Sequence, residues 1–212
     1  MTKLEYSYLA LPSAFYSLVS PLNHKGSSTI LFNKKLANKL NLSEAFISEL
    51  IDSKSETLEL IPSPFAQAYA GHQFGHFTML GDGRAMVMGE LIAQNQRFDL
   101  QLKGSGPTPY SRRGDGLATL KAMTREYIIS EAMDALNIPT SNALAVIATG
   151  ERVFRTVPEP GAMLVRIMKS HIRVGTFEYA RYFLDDGHIR MYFTVGSLAI
   201  GTNSKRAGVE RP

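Results

Sequence analysis

The alternation of apolar and polar side chains between residues 84 and 103 predicts two neighbouring strands. Residues 84–93 form the first predicted strand, and Gln94–Gln96 form the turn after it. The alternation is strict in residues 97–103. The apolar face of this second strand carries Phe98, Leu100 and Leu102, and the polar face carries Arg97, Asp99, Gln101 and Lys103. We therefore expect one face of the strand to contact a core.

A long helix and several short strands are predicted after this pair. A loop rich in Gly, Pro and Arg spans 104–116, and a helix then runs from about Leu117 to Leu136, ending before Pro139. Short strands are predicted at 144–149, 152–156 and 162–168. This order, with turns of hairpin length, favours an antiparallel sheet that carries one long helix over a doubly wound parallel sheet. The predicted fold class is α+β.

The two ends of the chain have a different pattern. Residues 1–68 read as a helical and extended N-terminal segment, in which Ser43 is a candidate helix cap. Glycine-punctuated strands begin at Tyr69, so residues 69–178 form the predicted sheet-and-helix region. Residues 179–212 are predicted to be an irregular tail with one strand at 190–195.

Composition limits the classes of protein to which the chain can belong. The chain has 212 residues, of which 44% are hydrophobic and 20% charged, and a formal net charge of +4, so a globular fold is expected. The absence of cysteine excludes disulfides, thiolate metal sites and cysteine nucleophiles. No apolar run approaches the roughly 18 residues of a membrane helix. We expect a cytoplasmic protein that binds neither membranes nor, given the small basic excess, nucleic acid.

Several familiar sites do not fit the sequence. There is no phosphate-binding P-loop, zinc-protease or serine-hydrolase motif. Gly104-Ser-Gly106 follows a strand, but Pro107 and Pro109 prevent the immediate helix that a dinucleotide fingerprint requires. His72 and His76 have a metal-binding spacing only in a helix, and the glycines beside them favour a hairpin instead.

Charged residues at unusual positions provide the candidate chemistry. Lys103 ends a half-buried strand, Arg84 follows Gly81-Asp-Gly83, and Arg166 interrupts an apolar run. A buried arginine needs an anionic partner. Glu126 lies on a partly apolar helix surface, and a strand lysine followed by a helix glutamate can form the ion pair that positions a nucleotide phosphate in kinase-like folds. Each residue alone also fits an ordinary surface charge or a structural salt bridge.

The segment before the helix adds to this pattern. Asp115 and Gly116 precede the predicted helix N-terminus, so Asp115 either caps the helix, contacts a ligand, or does both. Arg112, Arg113 and Arg173 add positive charge around the same elements. A polyanion with clustered phosphates, such as ATP, fits this charge pattern better than a flat nucleic-acid surface.

Long uninterrupted runs of the chain resemble the selenoprotein O family, which is called YdiU in bacteria. These runs are YAGHQFGHFTMLGDGRAMVMGE (69–90), RFDLQLKGSGPTPYSRRGDGLATLKAMTREYIISEAM (97–133), IPTSNALAVIATGERVFR (138–155) and LVRIMKSHIRVGTFEY (164–179). The resemblance covers most of residues 5–179. It implies that residues 69–178 are the N-terminal lobe of a protein-kinase-like fold. It further implies an enzyme that transfers AMP from ATP to Ser, Thr or Tyr hydroxyls of proteins.

The resemblance also implies roles for individual residues. Gly81, Gly83 and Arg84 would form the glycine-rich nucleotide loop, Lys103 would contact phosphate and pair with Glu126, Asp115 and Gly116 would line the nucleotide site, and Arg166 and Arg173 would complete a phosphate clamp.

One part of the family pattern is not matched in the chain. Family members have a second lobe that supplies an aspartate base and the Asn and Asp ligands of Mg²⁺, or alternatively Mn²⁺, and no matching motif precedes Pro212. We therefore expect weak or no catalysis by the 212-residue chain. A truncated gene, a frameshifted tail and a partial chain all fit. The alternative function is a non-catalytic module that binds ATP or a partner protein.

Overall fold

One antiparallel sheet organises the structure. The computed structural model describes residues 4–51, 63–73 and 75–184. The strands are β1 (Tyr16–Leu18), β2 (Ser28–Phe32), β3 (Phe65–Gln67), β4 (Ala70–Gln73), β5 (His76–Met79), β6 (Ala85–Ala93), β7 (Gln96–Lys103), β8 (Asn142–Phe154) and β9 (Pro158–Met168). Seven of them form one sheet in the order β1-β3-β6-β7-β9-β8-β2, with every neighbouring pair antiparallel, and β4 and β5 form a separate hairpin.

The β6–β7 hairpin confirms the strand pair predicted from the alternation. Gln94 and Asn95 have φ values of 50° and 57°, the double left-handed geometry that matches a two-residue turn to the twist of the strands. Leu100 and Leu102 are fully buried in the core, and Phe98 packs against the same cluster. The apolar face of β7 therefore forms the centre of the sheet core.

The predicted short strands after the helix are parts of one long hairpin. Residues 144–149 and part of 152–156 belong to the single strand β8, which pairs with β9 but changes register between Ala148 and Arg152. Gly150 lies in this irregularity with a φ of 76°. The bend explains why the sequence reads as two strands.

The long helix α3 (Leu120–Ala135) packs against this hairpin. Its N-cap is Thr119, whose side chain accepts a hydrogen bond from the Ala122 N–H at 3.3 Å. The helix begins later than predicted because Thr119 is extended and bridges to Gly161. Met123 is fully buried against β8 and β9, whereas Ile128 is exposed.

The N-terminal segment is only partly helical. Helices α1 (Lys34–Leu40) and α2 (Glu44–Ile51) cover the apolar face of the sheet, and Ser43 caps α2 as predicted. However, β1, β2 and β3 come from the same segment and belong to the main sheet. A helical extension that precedes the sheet is therefore not shown, because β1 and β2 form the two edges of the sheet and β3 lies between β1 and β6.

The last element of the described residues is a further helix, α4 (Val174–Phe183). Residues 179–183 are helical rather than irregular, since Tyr179 and Ala180 are buried against the sheet. The predicted strand at 190–195 lies outside the described residues. Among the helices described, none is long and apolar enough to cross a membrane.

The burial of the β7 apolar face predicts a large difference between two neighbouring substitutions. Leu100→Ala is expected to lower the free energy of unfolding by about 2–5 kcal/mol, because it leaves a cavity in the core. Ile92→Ala, on the adjacent strand and 51% exposed, is the matched control and should cost under about 1 kcal/mol. Urea denaturation of both variants measures the difference, and equal losses would contradict the assigned strand register.

Candidate functional site

A cleft with a strong positive charge lies at one end of the sheet. Its volume is about 920 Å³. It is lined by the turn before β6, the end of β7, the loop between β7 and α3, the end of β8, part of β9 and the N-cap residue of α4. Seven cationic side chains and two carboxylates line it, namely Arg84, Lys103, Arg112, Arg113, Arg155, Arg166 and Arg173 with Asp82 and Asp115.

The glycines at the cleft allow two backbone segments to approach each other. A Cβ at Gly81, where φ is 139°, would lie 2.3 Å from the Cγ atom of Tyr110. The loop is fastened to the glycine turn by the Ser111 hydroxyl, which donates to the Gly83 carbonyl at 2.5 Å. At Gly116 a Cβ would lie 2.0 Å from the Gly106 carbonyl oxygen. Packing alone therefore requires these glycines.

The strand lysine and the helix glutamate form the expected ion pair. Lys103 Nζ lies 2.5 Å from Glu126 Oε1, and the second oxygen of Glu126 lies 3.9 Å from Arg166. Burial lowers the pKa of Lys103, and the nearby Arg166 lowers it further, while Glu126 opposes both effects. Arg166 also donates to Gln101 Oε1. Glu126 and Gln101 thus hold two cations side by side.

Arg173 is held at the beginning of α4. It is the N-cap residue of the helix, and its guanidinium donates to Gln67 Oε1 at 3.0 Å and to Asp82 Oδ1 at 3.2 Å. The guanidinium also lies over the Tyr69 ring, 4.4 Å from the ring centroid. Burial raises the pKa of Asp82, and the adjacent Arg173 opposes this shift.

Asp115 pairs with an arginine and does not cap α3. Its two oxygens accept from Arg155 at 2.7 and 3.1 Å, and one of them also accepts from the Leu117 N–H at 2.9 Å. The hydrogen bonds from Arg155 lower the pKa of Asp115. The capping alternative is wrong because Thr119 occupies the N-cap position.

The structure brings the nine predicted site residues together. Eight of them line the cleft, namely Gly81, Gly83, Arg84, Lys103, Asp115, Gly116, Arg166 and Arg173. Glu126 lies beside the cleft and reaches it through Lys103. The contacts of these residues with a ligand stay predictions.

Four partner residues were missed by the sequence reasoning. They are Gln67, Asp82, Gln101 and Arg155. The sequence around Asp82 could have marked this residue, because an acidic side chain between two glycines has no side chains of chain neighbours to pack against. Arg155 had none, since it lies 40 residues from Asp115 in the chain.

Comparison with known families identifies the chain. A sequence model of the protein adenylyltransferase SelO family matches residues 1–193. The chain belongs to this family.

Bacterial relatives agree with this assignment. A protein nucleotidyltransferase YdiU of Clostridium botulinum (strain Alaska E43 / Type E3) is 56% identical over 180 residues, which cover 83% of this chain and 37% of the relative. The protein of the same name from Lachnoclostridium phytofermentans is 51% identical over 192 residues, covering 88% of this chain and 40% of the relative. This chain thus spans 37–40% of the length of these two relatives.

The Asp115–Arg155 pair predicts a pH-dependent effect. Arg155→Ala should raise the pKa of Asp115 towards its ordinary value, because the guanidinium favours the charged carboxylate. In the wild type, the stabilisation from the lowered pKa exists above the unfolded-state pKa and is lost as the pH falls through the folded-state pKa. The variant should show a weaker acid-range dependence but not lose it, because the Leu117 N–H then still donates to the carboxylate.

Carboxyl ¹³C NMR titration of Asp115 measures the shift. Arg152→Ala is the matched control, because Arg152 donates to the Pro158 carbonyl and not to Asp115. Identical titration curves for the wild type and Arg155→Ala would refute the attribution to Arg155.

Proposed function

We propose that the chain is the nucleotide-binding part of a protein nucleotidyltransferase that uses ATP. The observation that carries the proposal is the convergence of Lys103, Arg166 and Arg173 in one cleft, each with a fixed acceptor behind it. A triphosphate is a suitable ligand because it offers clustered oxygens to charged donors. The cleft volume of about 920 Å³ is within the usual range for small-molecule sites.

The proposed architecture is the N-terminal lobe of a kinase-like fold. It is supported by an antiparallel sheet whose lysine-bearing strand, β7, is followed by a helix that returns a glutamate to the lysine. In kinase-like sites this pair orders the lysine for a phosphate. On this proposal, Gly81, Gly83 and Arg84 border the nucleotide, and Asp115 and Gly116 line its site.

The proposed reaction occurs at the α-phosphorus of ATP. A Ser, Thr or Tyr hydroxyl oxygen of a protein bonds to this phosphorus, the bond to the oxygen bridging to the β-phosphate breaks, and pyrophosphate leaves. The hydroxyl proton passes to a base. Lys103, Arg166 and Arg173 would bind the phosphates and offset the negative charge on the departing pyrophosphate.

The two cleft carboxylates do not fit a metal site or a base. Both oxygens of Asp82 and both oxygens of Asp115 accept from protein donors. Across residues 4–51, 63–73 and 75–184, no group of three or more His, Asp or Glu is arranged to hold a metal ion. We propose use of Mg²⁺ or Mn²⁺ with ATP from family membership, and assign no ligand for it among these residues.

The pairing of both cleft carboxylates with arginines favours a second candidate function. A cleft whose acids are both held by arginines can bind a nucleotide without turning it over. The alternative is therefore a non-catalytic ATP-binding or protein-interaction module. Binding and transfer must be measured separately to distinguish the two functions.

Removal of Lys103 should weaken ATP binding. We expect Lys103→Ala to raise the dissociation constant at least about tenfold, because a charged hydrogen bond contributes about 1.5–3 kcal/mol. Lys121→Ala, an exposed lysine on α3, is the control and should bind like the wild type. Isothermal titration with ATP measures all three chains, and unchanged affinity for Lys103→Ala would remove the phosphate role.

Labelled ATP distinguishes transfer from binding. With ATP labelled at the α-phosphate and Mg²⁺, the full-length Clostridium botulinum relative should label protein, whereas γ-labelled ATP should not. The 212-residue chain should bind ATP and transfer little label. Efficient transfer by the 212-residue chain would contradict the expectation of weak or no catalysis by this chain, and γ-label on protein would indicate phosphoryl transfer.

A further inference from the structure

Asp82 is buried beneath the cleft although it lies in a loop between two glycines. It is 3% exposed. Its Oδ1 atom accepts from Arg173 at 3.2 Å and its Oδ2 atom accepts from the Gln67 backbone N–H at 3.2 Å. Its own backbone is also fixed, because its N–H donates to the Gln67 carbonyl at 2.9 Å and its carbonyl accepts from the Thr108 hydroxyl at 2.7 Å. A buried carboxylate whose two oxygens both accept hydrogen bonds keeps one orientation.

The contacts of Arg173 leave part of its guanidinium available. Its Nη1 atom donates to Gln67 Oε1 and to the His171 carbonyl, which uses both of its hydrogens. Its Nη2 atom donates to Asp82. One Nη2 hydrogen and the Nε hydrogen thus have no partner among the described residues. The side chain is 32% exposed and lines the cleft.

Other cations of the cleft are held differently. Arg84 and Arg113 are exposed, and neither has a side-chain partner within the described parts of the chain. They must lose side-chain entropy when they bind an anion, at a cost of about 0.5–1.5 kcal/mol each. The guanidinium of Arg173 is already ordered by Asp82, Gln67 and the ring of Tyr69.

We propose that Asp82 is a positioning residue that fixes the Arg173 guanidinium so that its remaining hydrogens face a nucleotide phosphate. This inference rests on the proposed function, since it concerns the same site. Asp82 acts through Arg173 and does not itself contact the nucleotide. Its burial and its two occupied oxygens separate this role from that of a metal ligand or a base.

A double-mutant cycle tests the inference. Asp82→Asn keeps the shape of the side chain and loses its charge. It should weaken binding of ATP and of inorganic triphosphate about tenfold in the wild-type background, and less than about twofold in an Arg173→Ala background, because the positioned group is then gone. A loss of the same size in both backgrounds would indicate a purely structural role and overturn the proposal.

Two further chains keep the test decisive. Asp134→Asn removes an exposed carboxylate that pairs with Lys35, and it should bind like the wild type. If Asp82→Asn does not fold, Gln67→Leu replaces it, because Gln67 is the other side-chain acceptor for Arg173. It should show the same dependence on Arg173, and additive losses would again refute the proposal.

A measurement without nucleotide separates this inference from the proposed function. The NMR order parameter of the Arg173 Nε–H group should fall in Asp82→Asn if Asp82 fixes the guanidinium. A wild-type chain that does not bind ATP would overturn the proposed function. An unchanged order parameter, or unchanged ATP affinity of Asp82→Asn beside a wild type that binds, would overturn the inference alone.

Discussion

The requirement that buried polar groups find partners on one face of β7 determines much of the structure. Each of the four polar side chains at positions 97, 99, 101 and 103 of this face has a partner from a different element. Arg97 pairs with Glu90 of β6, Asp99 with His171 before α4, Gln101 with Arg166 of β9, and Lys103 with Glu126 of α3. Unpaired, such groups would be costly in a low-dielectric interior. The same strand buries its opposite face in the sheet core, so the cleft and the core share one support.

Local patterns explain what could be predicted from the sequence. The alternation in β7, its turn and the presence of α3 depend on patterns that lie within one segment, and the structure agrees with them, although α3 begins later than predicted. The strands β1 and β3 have three residues each, too few to show a period, and the partners of β2 lie more than 100 residues away. The continuous β8 was hidden by its register shift.

The candidate site shows the same contrast between local patterns, which can be read from the sequence, and partners distant in the chain, which cannot. Isolated charges such as Lys103 and Arg166 could be selected because they interrupt apolar patterns, and Glu126 because of its place on the helix. Gln101, the partner of Arg166, could not be selected, since a polar residue that satisfies another has no distinctive local pattern. Gly81 and Gly83 show a further limit of sequence reasoning: the close approach of Tyr110 accounts for them without any ligand.

The double role of Arg173 has a mechanical consequence. Arg173, the N-cap residue of α4, also lines the cleft, so the helix and the site share one side chain. An anion that binds this guanidinium therefore also acts on the first turn of the helix, and a displacement of the helix changes the affinity of the cleft for the anion. By thermodynamic reciprocity, the two effects must be equal in free energy. Arg173 thus couples the position of α4 to the binding of an anion in the cleft.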